Sequence, residues 1–177
     1  ITGDNSENVV VINKSGTLTL RMQLVKKLKG QNTVIKLKHS GLIFLIESKQ
    51  SASVISKDTL KQPTLYLKAA SGGQMTFNLQ TEKTTVTANS GGVINIEGNT
   101  FSFDSLAKSG GVVKANEFLS NQTKVTVSSG GLCKAYGRDV FEAKASLGGA
   151  IDVYGSPKSL NQTISLGGSI KEIKKND

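Results

Sequence analysis

Ala88-Asn89-Ser90-Gly91-Gly92-Val93-Ile94-Asn95-Ile96 decides the fold of this chain, because its pattern recurs along the sequence. Its glycine pair is one of six, the others being Gly72-Gly73, Gly110-Gly111, Gly130-Gly131, Gly148-Gly149 and Gly167-Gly168. The steps between first glycines are 19, 19, 20, 18 and 19 residues. A fixed period of that size marks one supersecondary unit stacked on copies of itself, a solenoid rather than a globule.

Around each pair the residues sort by parity, as they must where one strand runs into a tight turn and another runs out. Three after the first glycine stand Met75, Ile94, Val113, Cys133, Ile151 and Ile170. Two further on stand Phe77, Ile96, Ala115, Ala135 and Val153, and then Glu172, which breaks the column at the last coil. Between them lie Thr76, Asn95, Lys114, Lys134, Asp152 and Lys171. One face is therefore apolar and the other polar. The strand entering the corner alternates likewise, with Ala69, Ala88, Ala107, Val127, Ala145 and Ile164 three residues before the first glycine. Five before it stand Leu67, Val86, Ser105, Val125, Ala143 and Gln162.

Each repeat thus reads as strand, glycine corner, strand and a second turn, the last carrying Gly98, Gly137 or Gly155 on three of the coils. Identical columns on every coil predict like stacked on like in parallel register, a β-helix with rungs ~4.8 Å apart. Glycine at the corner supplies positive φ and lets successive turns pass closely. Eight or nine rungs would make a rod on the order of 40 Å long. The six-residue beat of the left-handed hexapeptide helix of acyltransferases is not present.

Composition agrees with strands and turns: 19 Gly, 2 Pro and no Trp, with 37% hydrophobic residues to fill a narrow core. The longest apolar run, Leu42 to Ile46, is strand-sized and far below the ~18 residues of a membrane-spanning helix. A single cysteine, Cys133, excludes a disulfide framework. The sequence starts at Ile1, from which we expect a mature or trimmed piece whose targeting signal has been removed. The net charge of +9 is uneven: residues 1–70 hold eleven Lys and Arg against four Asp and Glu, the remainder eleven against nine. A basic half attracts polyanions, while the plain alternative is a solvated face that discourages edge pairing.

The repeat predicts one β-helix domain over residues 1–177, with irregular, basic N-terminal coils over 1–70 and regular coils over 71–177. In the irregular part, Ser15-Gly16 and Ser40-Gly41 read as corners. Their wider gaps place extra loops or a hairpin around Lys29-Gly30-Gln31-Asn32 and from Glu47 to Lys61.

From Leu65 to Lys171, with Ser71, Ser90, Ser109 and Ser129 leading Ser-Gly-Gly corners, the chain resembles the family described as putative auto-transporter adhesin, head GIN domain. Tyr154-Gly155-Ser156-Pro157-Lys158, followed by a last corner at Gly167-Gly168, is similar to that family's ending. Leu147 and Leu166 depart from the leading Ser. The resemblance implies a right-handed, pectin-lyase-like β-helix without catalytic residues, in exported proteins of Bacteroidetes-type bacteria, with a role in adhesion.

A polysaccharide-cleaving β-helix needs carboxylates clustered on adjacent coils. The outward acids Glu97, Asp104, Glu117, Asp139, Glu142 and Asp152 fall in no shared column on neighbouring rungs of the aligned repeats. His39 is the only histidine, and Cys133 sits in an inward column, so we expect no metal site, cofactor or nucleophile. Two outward pairs are binding candidates: Tyr136 with Tyr154, whose rings could form a platform for a sugar or partner chain, and Lys114 with Lys134, which concentrate charge. The expectation is a non-enzymatic exported or cell-envelope β-helix that presents surfaces to glycan or protein and self-associates, with no nucleic-acid partner. The alternatives are a polysaccharide-acting enzyme and a ligand-free envelope scaffold.

Overall fold

The computed structural model describes residues 1–4, 6–23 and 33–174. Contacts divide the chain into two compact units, Ile1–Gly41 and Leu42–Asp177.

In the first unit a 3-10 turn, Ser6–Asn8, leads into β1 (Val9–Lys14) and β2 (Thr17–Met22). These pair antiparallel, from Val9↔Met22 to Lys14↔Thr17. Ser15-Gly16 therefore closes a hairpin and does not join parallel rungs. Its φ angles of 50° and 75° are those of a type I′ turn, which serves a hairpin and a solenoid corner equally well, so the dipeptide alone could not decide. An isolated antiparallel bridge joins Thr2 to Val34. Among the described residues Gly41 has no positive φ and turns no corner. The segment Lys29-Gly30-Gln31-Asn32 lies outside the described residues.

The second unit is a β-solenoid of about 7 turns, spaced about 19 residues apart. Its strands are β3 (Leu45–Lys49), β4 (Ser53–Ile55), β5 (Leu60–Ala70), β6 (Gln74–Asn89), β7 (Val93–Lys108), β8 (Val112–Ser128), β9 (Leu132–Tyr136), β10 (Val140–Ala145), β11 (Ala150–Tyr154), β12 (Ser159–Ile164) and β13 (Ser169–Glu172). All pair parallel, in the order β13-β11-β9-β8-β7-β6-β5-β3, with β10 between β8 and β12 and β4 on β6. Eight or nine rungs were too many because the N-terminal hairpin contributes none. Residues 47–61 are a rung rather than an insertion. Gln50-Ser51, at φ 54° and 60°, turn its corner, and Ala52 N–H donates to Lys49 O at 3.1 Å. Glycine is dispensable there because β3 ends the sheet order, so no earlier rung of that sheet has to be cleared.

The predicted columns are register columns. Met75↔Ile94↔Val113↔Cys133↔Ile151↔Ile170 run straight up the stack, the first five buried. So do Ala69↔Ala88↔Ala107↔Val127↔Ala145↔Ile164. At the corner the two glycines do different work. Gly91, at φ 71° after Ser90 at 48°, completes a type I′ turn closed by Gly92 N–H to Asn89 O at 2.9 Å. A Cβ on Gly91 would meet nothing, whereas one on Gly92 would stand 2.3 Å from Ala69 O on the rung below.

The second bend holds a feature the sequence reading missed, a register column of Gln62, Thr81, Thr100 and Ser120. Thr81 Oγ1 donates to Thr100 Oγ1 at 2.9 Å, Thr100 Oγ1 to Ser102 O at 3.2 Å, and Ser120 Oγ to Tyr136 O at 2.6 Å. The hydroxyls follow the chain round the bend, where a regular ladder leaves carbonyls to satisfy. The core closes at the C-terminal rung with Gln162 and Glu172 in inward columns, Gln162 Nε2 donating to Glu172 Oε1 at 3.5 Å. These two polar groups share the last rung with Leu160, Ile164 and Ile170 of the other inward columns, so the end that meets water is mixed and not wholly apolar.

Candidate functional site

The strand after each corner turns every second side chain outward, and parallel register lines these up across the rungs. One outward column runs Thr76↔Asn95↔Lys114↔Lys134↔Asp152↔Lys171. Lys114 and Lys134 are thus direct neighbours, and Lys134 Nζ lies 3.8 Å from Asp152 Oδ2. Tyr136 and Tyr154 are register partners on β9 and β11, both half-buried. The ring of Tyr136 leans over Gly155, where an added Cβ would come within 2.6 Å of its Cε2 and Cζ. Among the described residues the ring–ring contact is instead in the core, where Phe103 and Phe118 meet edge to face at 5.4 Å.

The expectation that no two outward acids share a column does not hold. Glu97 and Glu117 stand opposite one another on β7 and β8. A register shift between Asn95 and Glu97 absorbs one extra residue on β8, and the long 20-residue step from Gly110 to Gly130 was its trace in the sequence. Counting residues from the corner put Glu117 one place too far. The remaining outward acids are engaged: Asp104 faces Lys83 at 3.7 Å, Glu142 faces Lys124 at 3.9 Å, and Asp139 accepts from Lys158 at 2.8 Å and Asn121 at 2.8 Å. Lys158 first, and then Asn121, hold the Asp139 carboxyl below the ordinary carboxylate value. Glu47 is lowered in the same way, chiefly by Lys49 at 2.9 Å and with help from Lys68 at 3.0 Å.

At the bulge the outer face sinks into a shallow groove of about 180 Å³. Phe77 and Ile96 lie beneath it, and Thr76, Asn95, Glu97, Lys114, Asn116 and Glu117 rim it. Glu97 Oε1 accepts from Asn78 Nδ2 at 3.0 Å, and Asn95 Nδ2 reaches Thr76 Oγ1 at 3.5 Å. Carboxylates, carboxamides and an ammonium on one rim offer donors and acceptors to a hydroxyl-rich or peptide surface. A hollow of this size is smaller than the 300–1,000 Å³ of sites that enclose small molecules.

Elsewhere the reactive side chains are placed as structure. Cys133 is fully buried, its thiol pushed up to about 12 by burial, against which the 3.4 Å contact with Ser105 Oγ works weakly. His39 Nδ1 lies 2.9 Å from Gly41 O. Among the described residues no three of His, Cys, Asp and Glu gather as a metal site, and no helix is long and apolar enough to cross a membrane.

Two crystal structures share the fold. One is titled a putative adhesin from Bacteroides fragilis NCTC 9343, with TM-score 0.73 and 20% identity over 94% of this chain and 77% of that one. The other is titled a putative lipid binding protein from Parabacteroides distasonis ATCC 8503, with TM-score 0.69 and 19% identity over 95% of this chain and 80% of that one. No curated protein matches the chain. The family model that does match spans residues 1–157, reaching through the hairpin unit and all but the last coils. With parallel coils, glycine corners and that match in agreement, the chain belongs to the family described as "Putative auto-transporter adhesin, head GIN domain".

Proposed function

We propose that this chain is a non-enzymatic adhesion module of an exported cell-surface protein, and that the outer face of its solenoid binds a glycan or a protein. The observation that carries the reading is the register on that face. Lys114 with Lys134 and Tyr136 with Tyr154 repeat like groups one rung apart, and Lys114 also rims the groove at Glu97 and Glu117. A stacked parallel sheet holds such groups at a fixed ~4.8 Å spacing without ordering a loop, so little entropy is lost when a partner docks. The open, shallow groove suits contact with an extended surface better than enclosure of a reacting group. Family membership supports adhesion as the class of activity.

A glycan array, followed by protein binding assays, tests this. Wild type should bind at least one ligand that Tyr136→Ala/Tyr154→Ala or Lys114→Ala/Lys134→Ala loses by about tenfold, the effect of some 1.4 kcal/mol. Retention of every wild-type ligand by both double variants would sink the reading. Release of reducing ends from an acidic polysaccharide, lost in Glu97→Gln, would replace it with an enzyme.

A further inference from the structure

The residue that leads each corner is serine on four rungs, Ser71, Ser90, Ser109 and Ser129, and leucine on the last two, Leu147 and Leu166. Every one of these corners lies in the left-handed region, at φ 50° for Leu147 and 47° for Leu166. Serine can offset that conformation with a local hydrogen bond; leucine cannot, and its bulk adds to the strain. Burial does not repay the cost, since Leu147 is 53% exposed and Leu166 75%. For Leu147 this is no end effect, because β12 already lies on β10 beyond it. Folding alone would favour serine at both corners.

The two leucines sit on adjacent corners, roughly one rung spacing apart. Ile164, on the rung of Leu166, belongs to the inward column and not to the ridge these two form; it is 52% exposed because β12 is the last strand of its sheet. Exposed lysines flank the ridge: Lys144 on the strand entering one corner, Lys171 on the strand leaving the next, and Lys174 beyond. None of the three holds an ion pair among the described residues, while the acids on these rungs are occupied. Glu142 is taken by Lys124, Asp152 by Lys134, and Glu172 by Gln162.

We propose that this ridge docks on an anionic lipid surface, Leu147 and Leu166 entering among the acyl chains while Lys144, Lys171 and Lys174 meet the headgroups. Apolar tips on convex turns fit the yielding boundary of a bilayer, whereas a protein strand or helix would need a groove. Charge decides against a second copy, because a ridge-to-ridge contact would bring the same free lysines together on molecules of net charge +9. Insertion and basic charge are the two signals that together make peripheral binding measurable, and each alone is weak. The proposal is independent of the glycan or protein face.

Co-sedimentation with vesicles of phosphatidylcholine alone, or mixed with phosphatidylglycerol, tests it. Wild type should partition onto the mixed vesicles, and added salt should weaken the binding. Leu147→Ser/Leu166→Ser should lower partition by about tenfold or more while melting no lower than wild type, since it copies the serine corners of the same chain. Lys144→Ser/Lys171→Ser should lower partition on the mixed vesicles by a similar factor and spare the small binding to neutral ones. No binding of wild type to the mixed vesicles, or equal binding by the leucine variant, overturns the proposal. A dimer seen by light scattering and abolished by the same leucine variant would also overturn it, assigning the ridge to a second copy.

Discussion

At a solenoid corner, two adjacent glycines are not interchangeable. Gly91 is required by its backbone angle and has open space where a side chain would be; Gly92 is required by space, with Ala69 O only 2.3 Å from an added Cβ. Alanine at 91 should therefore cost about 1 kcal/mol, the ordinary penalty of a left-handed L residue. Alanine at 92 must push two backbones apart and break ladder hydrogen bonds on both sides, so we expect several kcal/mol, at the exceptional end for a point change. Urea denaturation of the two variants compares them directly, and equal midpoints would contradict the division of labour. Either glycine could be recognised from its recurrence, but their separate roles could not. A sequence shows that a position is always glycine and does not show which neighbour excludes the Cβ.

At the scale of the element, the strands were legible wherever a glycine pair fixed the count and illegible where a turn used other means. Gln50-Ser51 turns a corner without glycine, and Ser15-Gly16 uses the corner dipeptide to make a hairpin. The bulge on β8 hid the pairing of Glu97 with Glu117, since one inserted residue moves everything after it by a place. That pairing has an energetic consequence. Like charges directly opposite on adjacent strands repel by some 0.2–1 kcal/mol, and Asn78 is bonded to Glu97 while neither carboxylate has a salt-bridge partner among the described residues. Glu117→Lys should therefore stabilise the unit by roughly 0.5 kcal/mol in low salt, with the gain shrinking as salt rises past ~0.1 M. Thermal melts at two ionic strengths measure this, and a loss of stability in low salt would mean the carboxylate is held by contacts other than those described.

For the coiled unit as a whole, what matters is that each rung touches chiefly the rung above and the one below, so stability is close to a sum of rung and interface terms. The core is correspondingly thin, with about one residue of each inward column per coil, and its last rung mixes Leu160, Ile164 and Ile170 with the Gln162–Glu172 pair. The same lesion should then have different reach at different heights. Gly111 and Gly168 occupy equivalent corners, and a Cβ on either would strike a carbonyl of the rung below, Ala88 O at 2.2 Å and Ala145 O at 2.4 Å. Gly168→Ala can be relieved by releasing β12, β13 and the corner between them, leaving the stack from β3 to β11 paired. Gly111→Ala lies between β7 and β8, which are paired along most of their length, and no end is near enough to yield. Native-state hydrogen exchange separates the two outcomes. Gly168→Ala should deprotect amides of β12 and β13 alone, while Gly111→Ala should lower protection along the entire solenoid; identical protection patterns in the two variants would mean that the unit opens as one cooperative block instead of rung by rung.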